Sequence, residues 1–349
     1  MTTDAAFEVL TVPPPALSGD DAADILSDHY NIAGKLRPLT SERDQNFVVA
    51  TASGEQFVLK ISNSAEVAAV TDLQTAALLH IAETMPELPV PRLVHTVNGD
   101  SILTIVAADR RPHRVRVLTW LDGVPIRRAE WAPECAATLG TCLARLGHAL
   151  RNFEHAAADY ALLWDLKRAV LLRDLLEYVG DTALRALCER RLDVFETRVL
   201  PKLDDVRWQV IHNDLNPSNV LVDAQDARMI KGIIDFGDIV RSPLIVDIAV
   251  AAAYLMRDKD DVLEDVLAFV AAYCEVEPLE PAEIDLLFDL ILTRSAMTIL
   301  ITHWRVMRYP ENREYIVRSE TGARKMLERM SGVFTQDVTA RLRDACDLH

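Results

Sequence analysis

The spacing of hydrophobic and polar residues changes character about one third of the way along the 349-residue chain. Up to about residue 120, apolar and polar positions alternate in a way that predicts five strands, at 35–39, 47–51, 56–61, 102–106 and 115–120. Two helices are predicted among them, one at 18–30 that begins with a Ser18 cap and one at 64–83.

After the Asp122-Gly123 turn, the apolar residues recur at helical spacing. Seven helices are predicted, at 133–152, 164–179, 182–200, 243–256, 262–273, 281–306 and 312–330, with short strands at 219–222 and 229–235. The pattern therefore predicts an α+β protein with a flexible tail at 1–17, a small β-rich lobe at 18–120 and a larger helical lobe at 121–349.

Composition excludes several kinds of partner. The chain carries 37 basic and 53 acidic residues, a net charge of −16, whereas binding to nucleic-acid phosphates needs a basic face. The longest strongly apolar stretch, 245–256, contains Asp247 and is too short to cross a bilayer, so we expect no membrane association. Five scattered cysteines, and a start without an evident signal peptide, favour a cytoplasmic protein with reduced thiols.

One polar segment has a spacing typical of phosphoryl transfer. His212, Asp214 and Asn219 fit H-x-D-L-x-x-x-N, and Asp235-Phe236-Gly237 follows. We expect Asp214 to orient an acceptor hydroxyl and to take its proton. Asn219 and Asp235 are expected to bind Mg²⁺, which prefers a few protein oxygens together with phosphate oxygens.

Other residues are predicted to support this chemistry. His212 is expected to brace the loop through hydrogen bonds rather than to act as an acid or base, and Asp247 to tie the same loop down. Lys60 ends the third predicted strand, where its charge can neutralise phosphates. The turn at 40–46 contains no glycine, but its Ser41 and Asn46 can still donate hydrogen bonds to phosphate.

The runs at 211–216 and 232–238 resemble the motifs of the aminoglycoside phosphotransferase and choline kinase family of small-molecule kinases. The resemblance covers about residues 20–335, and three stretches, at 118–126, 164–167 and 309–315, resemble the hydroxylysine kinases within that family. It implies a two-lobed protein-kinase-like fold. The N-terminal lobe would bind the nucleotide, and the helical lobe would hold the catalytic loop and the substrate site.

The resemblance also implies the cofactors and nucleotide contacts. ATP or GTP would be the phosphoryl donor, with Mg²⁺, and its purine would pair with the Thr119 carbonyl and the Leu121 N–H. Gln74 stands where the family often has a glutamate that pairs with the strand lysine. Gln74 can form a hydrogen bond to Lys60 but cannot neutralise it, and both Asp72 and Glu66 remain open as the compensating acid.

For the acceptor, the resemblance favours the hydroxyl of a small amine-bearing molecule, hydroxylysine first. The alternatives are an aminoglycoside, homoserine or amino-alcohol kinase, or a nucleotide-binding regulator without catalysis. Trp164, Asp238 and Arg294 are candidate substrate contacts. Asp238 has an alternative role as a supporting acid, and Arg294 as a surface residue bridging two helices. A lyase or aminotransferase-type enzyme is expected as a pathway partner.

Overall fold

A reciprocal pair of hydrogen bonds begins the first helix of the computed structural model, which describes residues 12–41, 43–256, 259–310, 313–317 and 320–348. The Ser18 hydroxyl accepts the Asp21 N–H (3.1 Å), and the Asp21 carboxylate accepts the Ser18 N–H (3.0 Å). This capping box starts α1 (Gly19–Tyr30) at the predicted residue. Residues 1–11 of the predicted tail lie outside the described part of the chain.

Six antiparallel strands follow α1 in one sheet of order β1-β2-β3-β6-β4, with β5 paired to β6. They are β1 (Gly34–Leu39), β2 (Gln45–Thr51), β3 (Gln56–Ile61), β4 (Leu93–Val94), β5 (Leu103–Val106) and β6 (Pro112–Thr119). The register sets Lys60 opposite Asn46 on one side and Arg116 on the other. Since opposed residues point to the same face, these three polar side chains form a row on one face of the sheet. The other face is apolar and packs against α1.

Helix α2 (Ala68–Thr84) lies between β3 and β4 in the chain and begins four residues after the predicted start. Its buried apolar residues, including Leu73, Leu78 and Ile81, belong to the large core built mainly from the later helices. The helix therefore connects the sheet region to the helical region.

The rest of the chain is mostly helical, so the predicted α+β class is confirmed. Its helices are α3 (Cys135–Leu150), α4 (Thr182–Val194), α5 (Leu244–Ala253), α6 (Glu264–Val276), α7 (Pro281–Arg308), α8 (Arg313–Ile316), α9 (Glu320–Met330) and α10 (Thr335–Ala345). Its short strands are β7 (Val124–Pro125), β8 (Trp208–Ile211), β9 (Val220–Val222), β10 (Ile230–Ile233) and β11 (Val240–Pro243). Strands β10, β9 and β7 form one small sheet, and β11 pairs with β8.

Several predicted helices differ in detail. Leu166–Tyr178 winds as a 3₁₀ helix, and α4 passes into a π turn at Phe195–Val199 and a 3₁₀ turn at Leu200–Asp205. Pro201 has no backbone N–H, which favours the end of regular helix there. The predicted helix at 312–330 corresponds to α8 and α9, and its first residue lies outside the described chain. In the described ranges, no helix is long and apolar enough to cross a membrane.

The expectation of five reduced cysteines is wrong for one pair. Cys274 on α6 forms a disulfide with Cys346, which follows α10, while the other three cysteines are free. The two partners are 72 residues apart, and no local spacing in the sequence indicates that α10 packs beside α6.

Candidate active site

The loop that joins β8 to β9 presents the Asp214 carboxylate, held by two side-chain amides. Its Oδ1 accepts a hydrogen bond from Asn216 Nδ2 (3.0 Å), and its Oδ2 accepts one from Asn219 Nδ2 (2.7 Å). Burial and the negative charge of Asp238 raise the pKa of Asp214 to about 8, although Arg294 opposes them. In its ionised form Asp214 is therefore a stronger proton acceptor than an ordinary aspartate, and one fifth of its side chain is exposed.

Buried polar contacts fix the start of the same loop. Asp247, on α5, accepts the backbone N–H groups of His212 (3.2 Å) and Asn213 (2.8 Å). The His212 ring accepts the Asp214 N–H at Nδ1 (3.2 Å) and donates from Nε2 to the Ile234 carbonyl (3.2 Å). Burial lowers the pKa of His212, which favours the neutral ring that this pattern requires. Asn213 adopts a positive φ of 64°, so the backbone hydrogen bonds that Asp247 accepts stabilise a strained backbone.

Asp235 begins the second segment of the motif and also has a positive φ, 65°. The surrounding protein opposes its ionisation, but Lys60 and Arg43 outweigh that effect and lower the pKa of Asp235. Asn219 directs its amide nitrogen to Asp214, which leaves the amide oxygen as the atom that a metal would take. An ionised carboxylate and an amide oxygen suit Mg²⁺, which completes its coordination with water and phosphate oxygens. These two residues therefore fit the metal implied by the sequence.

Lys60 projects from β3 toward this carboxylate. Its Nζ lies 3.7 Å from Asp235 Oδ1 and 3.1 Å from Asp44 Oδ2. Burial disfavours the charge on Lys60, but Asp44 and Asp235 overcome it and raise the pKa. The lysine is therefore a fixed cation beside the proposed metal site.

The predicted contact between Gln74 and Lys60 does not form. Gln74 donates to Glu66 (3.2 Å) and to the Gly237 carbonyl (3.2 Å), and it accepts from Arg116 Nη2 (2.8 Å). Because these bonds occupy its amide, Lys60 takes its partner from the β1–β2 connection instead. That partner is Asp44, which resolves the question left open between Asp72 and Glu66. Gln74 remains attached to the Asp235-Phe236-Gly237 segment through Gly237.

Backbone hydrogen bonds at the end of β6 alternate between its two sides. The Trp120 N–H donates to the Gln56 carbonyl on β3 (3.2 Å), and the Thr119 N–H donates to the Arg92 carbonyl on the other side (2.8 Å). The Thr119 carbonyl therefore faces away from β3. Leu121 lies beyond the end of β6, and the expected purine contacts stay a prediction. In the β1–β2 connection, the Ser41 hydroxyl accepts the Asp44 N–H (3.3 Å).

Arg294, on α7, is a deeply buried cation rather than the surface residue of the alternative interpretation. Its Nη1 donates to the Trp164 carbonyl (3.0 Å), and its guanidinium lies 4.8 Å from the Trp164 ring centroid. Its Nη2 lies 3.8 Å from Asp214 Oδ1. Trp164 therefore positions a cation beside the proposed base. Asp238, the third candidate contact, pairs with Arg43 (2.7 Å).

Sequence reasoning missed three residues at this site: Arg43, Asp44 and Arg116. Arg43 and Asp44 lie in the charged turn at 40–46, whose polar residues predict only phosphate donors, and Arg116 lies in an alternating strand. The cross-strand register with Lys60 is the signal that identifies Arg116, and it becomes visible only once strand pairing is known. Glu311 and Asn312 of the 309–315 stretch lie outside the described residues.

An antiparallel sheet that carries Lys60, joined to a helical region that carries the 212–219 and 235–237 motif segments, is the arrangement of a kinase. The model of the Phosphotransferase enzyme family matches residues 35–286, and the chain belongs to that family.

Similarity to known kinases, in sequence and in structure, supports this assignment. Hydroxylysine kinase of Xenopus laevis is 30% identical over 333 residues, 88% of each chain. Among solved structures, an amicoumacin kinase in complex with AMP-PNP, Ca²⁺ and its ligand has a TM-score of 0.70 at 14% identity, covering 92% of this chain and 97% of its own. A microcompartment-associated aminopropanol kinase has a TM-score of 0.69 at 20% identity, covering 90% and 98%. These structures share the fold, and the chain is a phosphotransferase that acts on a hydroxyl group.

Proposed function

We propose that this protein is a Mg²⁺-dependent kinase that transfers the γ-phosphoryl group of ATP or GTP to the hydroxyl of a small amine-bearing molecule, hydroxylysine first. The observation that carries the proposal is the Asp214 carboxylate, which two amides hold and which stays partly accessible. A carboxylate in this setting orients an acceptor hydroxyl and takes its proton as the new P–O bond forms.

Each remaining group has a role in the proposed reaction. Asn219 and Asp235 would hold Mg²⁺, which neutralises charge on the transferring phosphoryl group when it is bound. Lys60 would bind the nucleotide phosphates, assisted by Ser41 and Asn46, and the backbone of Thr119 and Leu121 would bind the purine. We assign nucleotide binding to residues 18–120 and acceptor binding to residues 121–349.

Arg294 favours an amino-acid acceptor. A carboxylate on the substrate would find a buried guanidinium within 3.8 Å of the base, an arrangement that selects for molecules carrying both an acid and a hydroxyl. A cavity of about 240 Å³ also lies beside the catalytic loop, with Leu215, Asn216 and Tyr254 in its wall. That volume suits a small acceptor.

The acids after residue 258 give little support to the aminoglycoside alternative, whose substrates are polycations. Among the described residues, Asp261 pairs with Arg341, and Asp265 pairs with Lys259 (2.8 Å). Asp258 lies outside the described residues. Paired surface acids offer a polycation less net charge than a free acidic cleft would. Relatedness to hydroxylysine kinases supports the smaller acceptor.

A coupled assay tests the proposal with ATP and GTP against hydroxylysine, homoserine, an amino alcohol and kanamycin. We expect turnover with hydroxylysine and at least one nucleotide. Turnover with kanamycin and none with hydroxylysine would favour the aminoglycoside alternative. Nucleotide binding without transfer to any acceptor would favour the regulator.

The metal assignment has its own test. Asp235→Ala removes the ionised ligand, so we expect Mg²⁺-nucleotide binding to be lost while binding of the metal-free nucleoside remains. Calorimetry that finds the same affinity for the Mg²⁺-nucleotide in Asp235→Ala and wild type would refute the assignment.

The product defines the class of enzyme that would use it. Phosphorylation turns a hydroxyl into a leaving group, so a lyase or aminotransferase-type enzyme that eliminates phosphate would consume the product. We propose that this protein acts in the cytoplasm.

A further inference from the structure

An arginine in the β1–β2 connection crosses to the segment that follows the proposed metal ligand. Arg43 Nη2 lies 2.7 Å from Asp238 Oδ1, and the two side chains are 21% and 10% exposed. The residues are 195 positions apart in the chain. The glycine-free turn therefore places a largely buried guanidinium in the cleft between the sheet and the catalytic loop, which Lys60, Asp235 and Asp238 line.

Neighbouring groups fix Arg43 in this position. Its carbonyl accepts a hydrogen bond from Asn63 Nδ2 (3.1 Å), and the Asn63 N–H donates to Asp44 (3.2 Å). A Cβ added at Gly237 would lie 2.9 Å from Arg43 Nη2, so the guanidinium packs directly on that glycine. Gly237 is two residues after Asp235, and Arg43 thus borders the space where nucleotide phosphates would lie.

Two ion pairs lie in the cleft, and the phosphates of a triphosphate can replace the acidic partner in each. Lys60 pairs with Asp44, and Arg43 pairs with Asp238. A triphosphate carries more negative charge than one Mg²⁺ neutralises, so two further cations match it. The planar fork of an arginine binds phosphate oxygens through two parallel hydrogen bonds. A turn without glycine cannot bring its backbone as close to phosphate as a glycine-rich loop can, and a long side chain compensates for this.

We propose that Arg43 is a phosphate-binding residue of this site, held by Asp238 in the nucleotide-free protein and transferred to the β- and γ-phosphates when the nucleotide binds. This inference rests on the proposed function, because it requires that the cleft binds a Mg²⁺-nucleoside triphosphate. Asp238 then competes with the nucleotide for Arg43, and removing the charge of Asp238 should favour nucleotide binding.

Calorimetry on four variants with two probes tests the inference. The probes are the Mg²⁺ complex of a non-hydrolysable triphosphate, with the purine that wild type binds, and the matching nucleoside. For Arg43→Ala we expect triphosphate affinity to fall about 10- to 100-fold, as for the loss of a charge-assisted hydrogen bond, and nucleoside affinity to change less than about twofold. Arg43→Lys should retain part of the triphosphate affinity, and Asp238→Asn should increase it.

Exposed Arg37 on β1 provides the matched control, because Arg37→Ala removes the same charge from the same region. We expect both affinities of this variant to equal those of wild type. Equal triphosphate affinity in Arg43→Ala and wild type would overturn the inference, as would an equal loss for both probes, which indicates a structural role. Weaker triphosphate binding in Asp238→Asn would overturn the proposal that Asp238 competes with the nucleotide for Arg43. If wild type bound no triphosphate, the proposed function itself would fail.

Discussion

At the scale of single residues, Asp247 shows how a buried charge can position a catalytic loop. It is 2% exposed and accepts two backbone N–H groups, but it has no cation among its hydrogen-bond partners in the described residues. Burial raises its pKa to about 6, although the two N–H groups oppose the shift. At neutral pH Asp247 is therefore an ionised buried carboxylate, which lowers the stability of the fold but holds His212 and Asn213 in place.

The ionisation of buried Asp247 predicts that stability depends on pH. Because the pKa of Asp247 is higher in the folded protein than its ordinary value of 3.8, its contribution to stability is full below pH 3.8 and is lost as pH rises to about 6. We expect the unfolding free energy of wild type minus that of Asp247→Asn to fall by roughly 2 kcal/mol between pH 4 and pH 7.

Urea denaturation at several pH values measures this difference. Asp204→Asn, at an exposed position, controls for the removal of one negative charge. A free-energy difference between wild type and Asp247→Asn that stays constant from pH 4 to pH 7 would contradict the burial argument.

At the scale of elements, helices α3 and α6 approach each other closely at one glycine. A Cβ added at Gly140 would lie 2.1 Å from the Phe269 carbonyl oxygen and 3.1 Å from the Tyr273 nitrogen, both backbone atoms of α6. A Cβ added at Gly147, two turns later on α3, would have its nearest neighbours at 3.6 Å, the side-chain atoms Gln209 Nε2 and Tyr273 Oη, which is an ordinary contact. Of the two glycines on α3, Gly140 therefore has no room for a methyl group, whereas Gly147 has enough.

We expect Gly140→Ala to lower the free energy of unfolding by about 1–3 kcal/mol, because backbone must move to admit the methyl group. Gly147→Ala should raise it by about 0.5–1 kcal/mol, because alanine favours helix. Chemical denaturation of both variants checks the pair. A Gly140→Ala protein as stable as Gly147→Ala would show that the helices do not pack at this distance.

Helices and strands with a local sequence signal could be predicted, and those that depend on tertiary packing could not. The bounds of β3, α1 and α7 follow from alternation, a capping residue and Pro281 at a helix start, which are local signals. Helix α10 and the short pairing strands β8 and β11 were not predicted, because their apolar residues find partners only through tertiary packing. Motif spacing predicts roles for Asp214, Asn219 and Asp235, whereas the Arg43–Asp238 and Lys60–Asp44 pairs depend on distances that spacing does not encode.

At the scale of the whole molecule, one cleft joins groups from distant parts of the chain. The sheet supplies Lys60 and its polar row, the β8–β9 loop supplies Asp214, and α7 supplies Arg294. Helix α2 links the two regions, since its apolar residues pack in the large core while Gln74 donates to Gly237. Movement between the regions would therefore alter the proposed phosphate site and the proposed base together.

The central claim, that Asp214 acts on the acceptor hydroxyl, is tested most directly by comparing wild type with Asp214→Asn for phosphate transfer and nucleotide affinity. We predict that kcat falls by about 10²- to 10⁴-fold, the contribution typical of a general base, and that nucleotide affinity stays nearly unchanged. Asp205→Asn, at an exposed position, is the matched control and should behave as wild type. Equal kcat in Asp214→Asn and wild type would contradict the account.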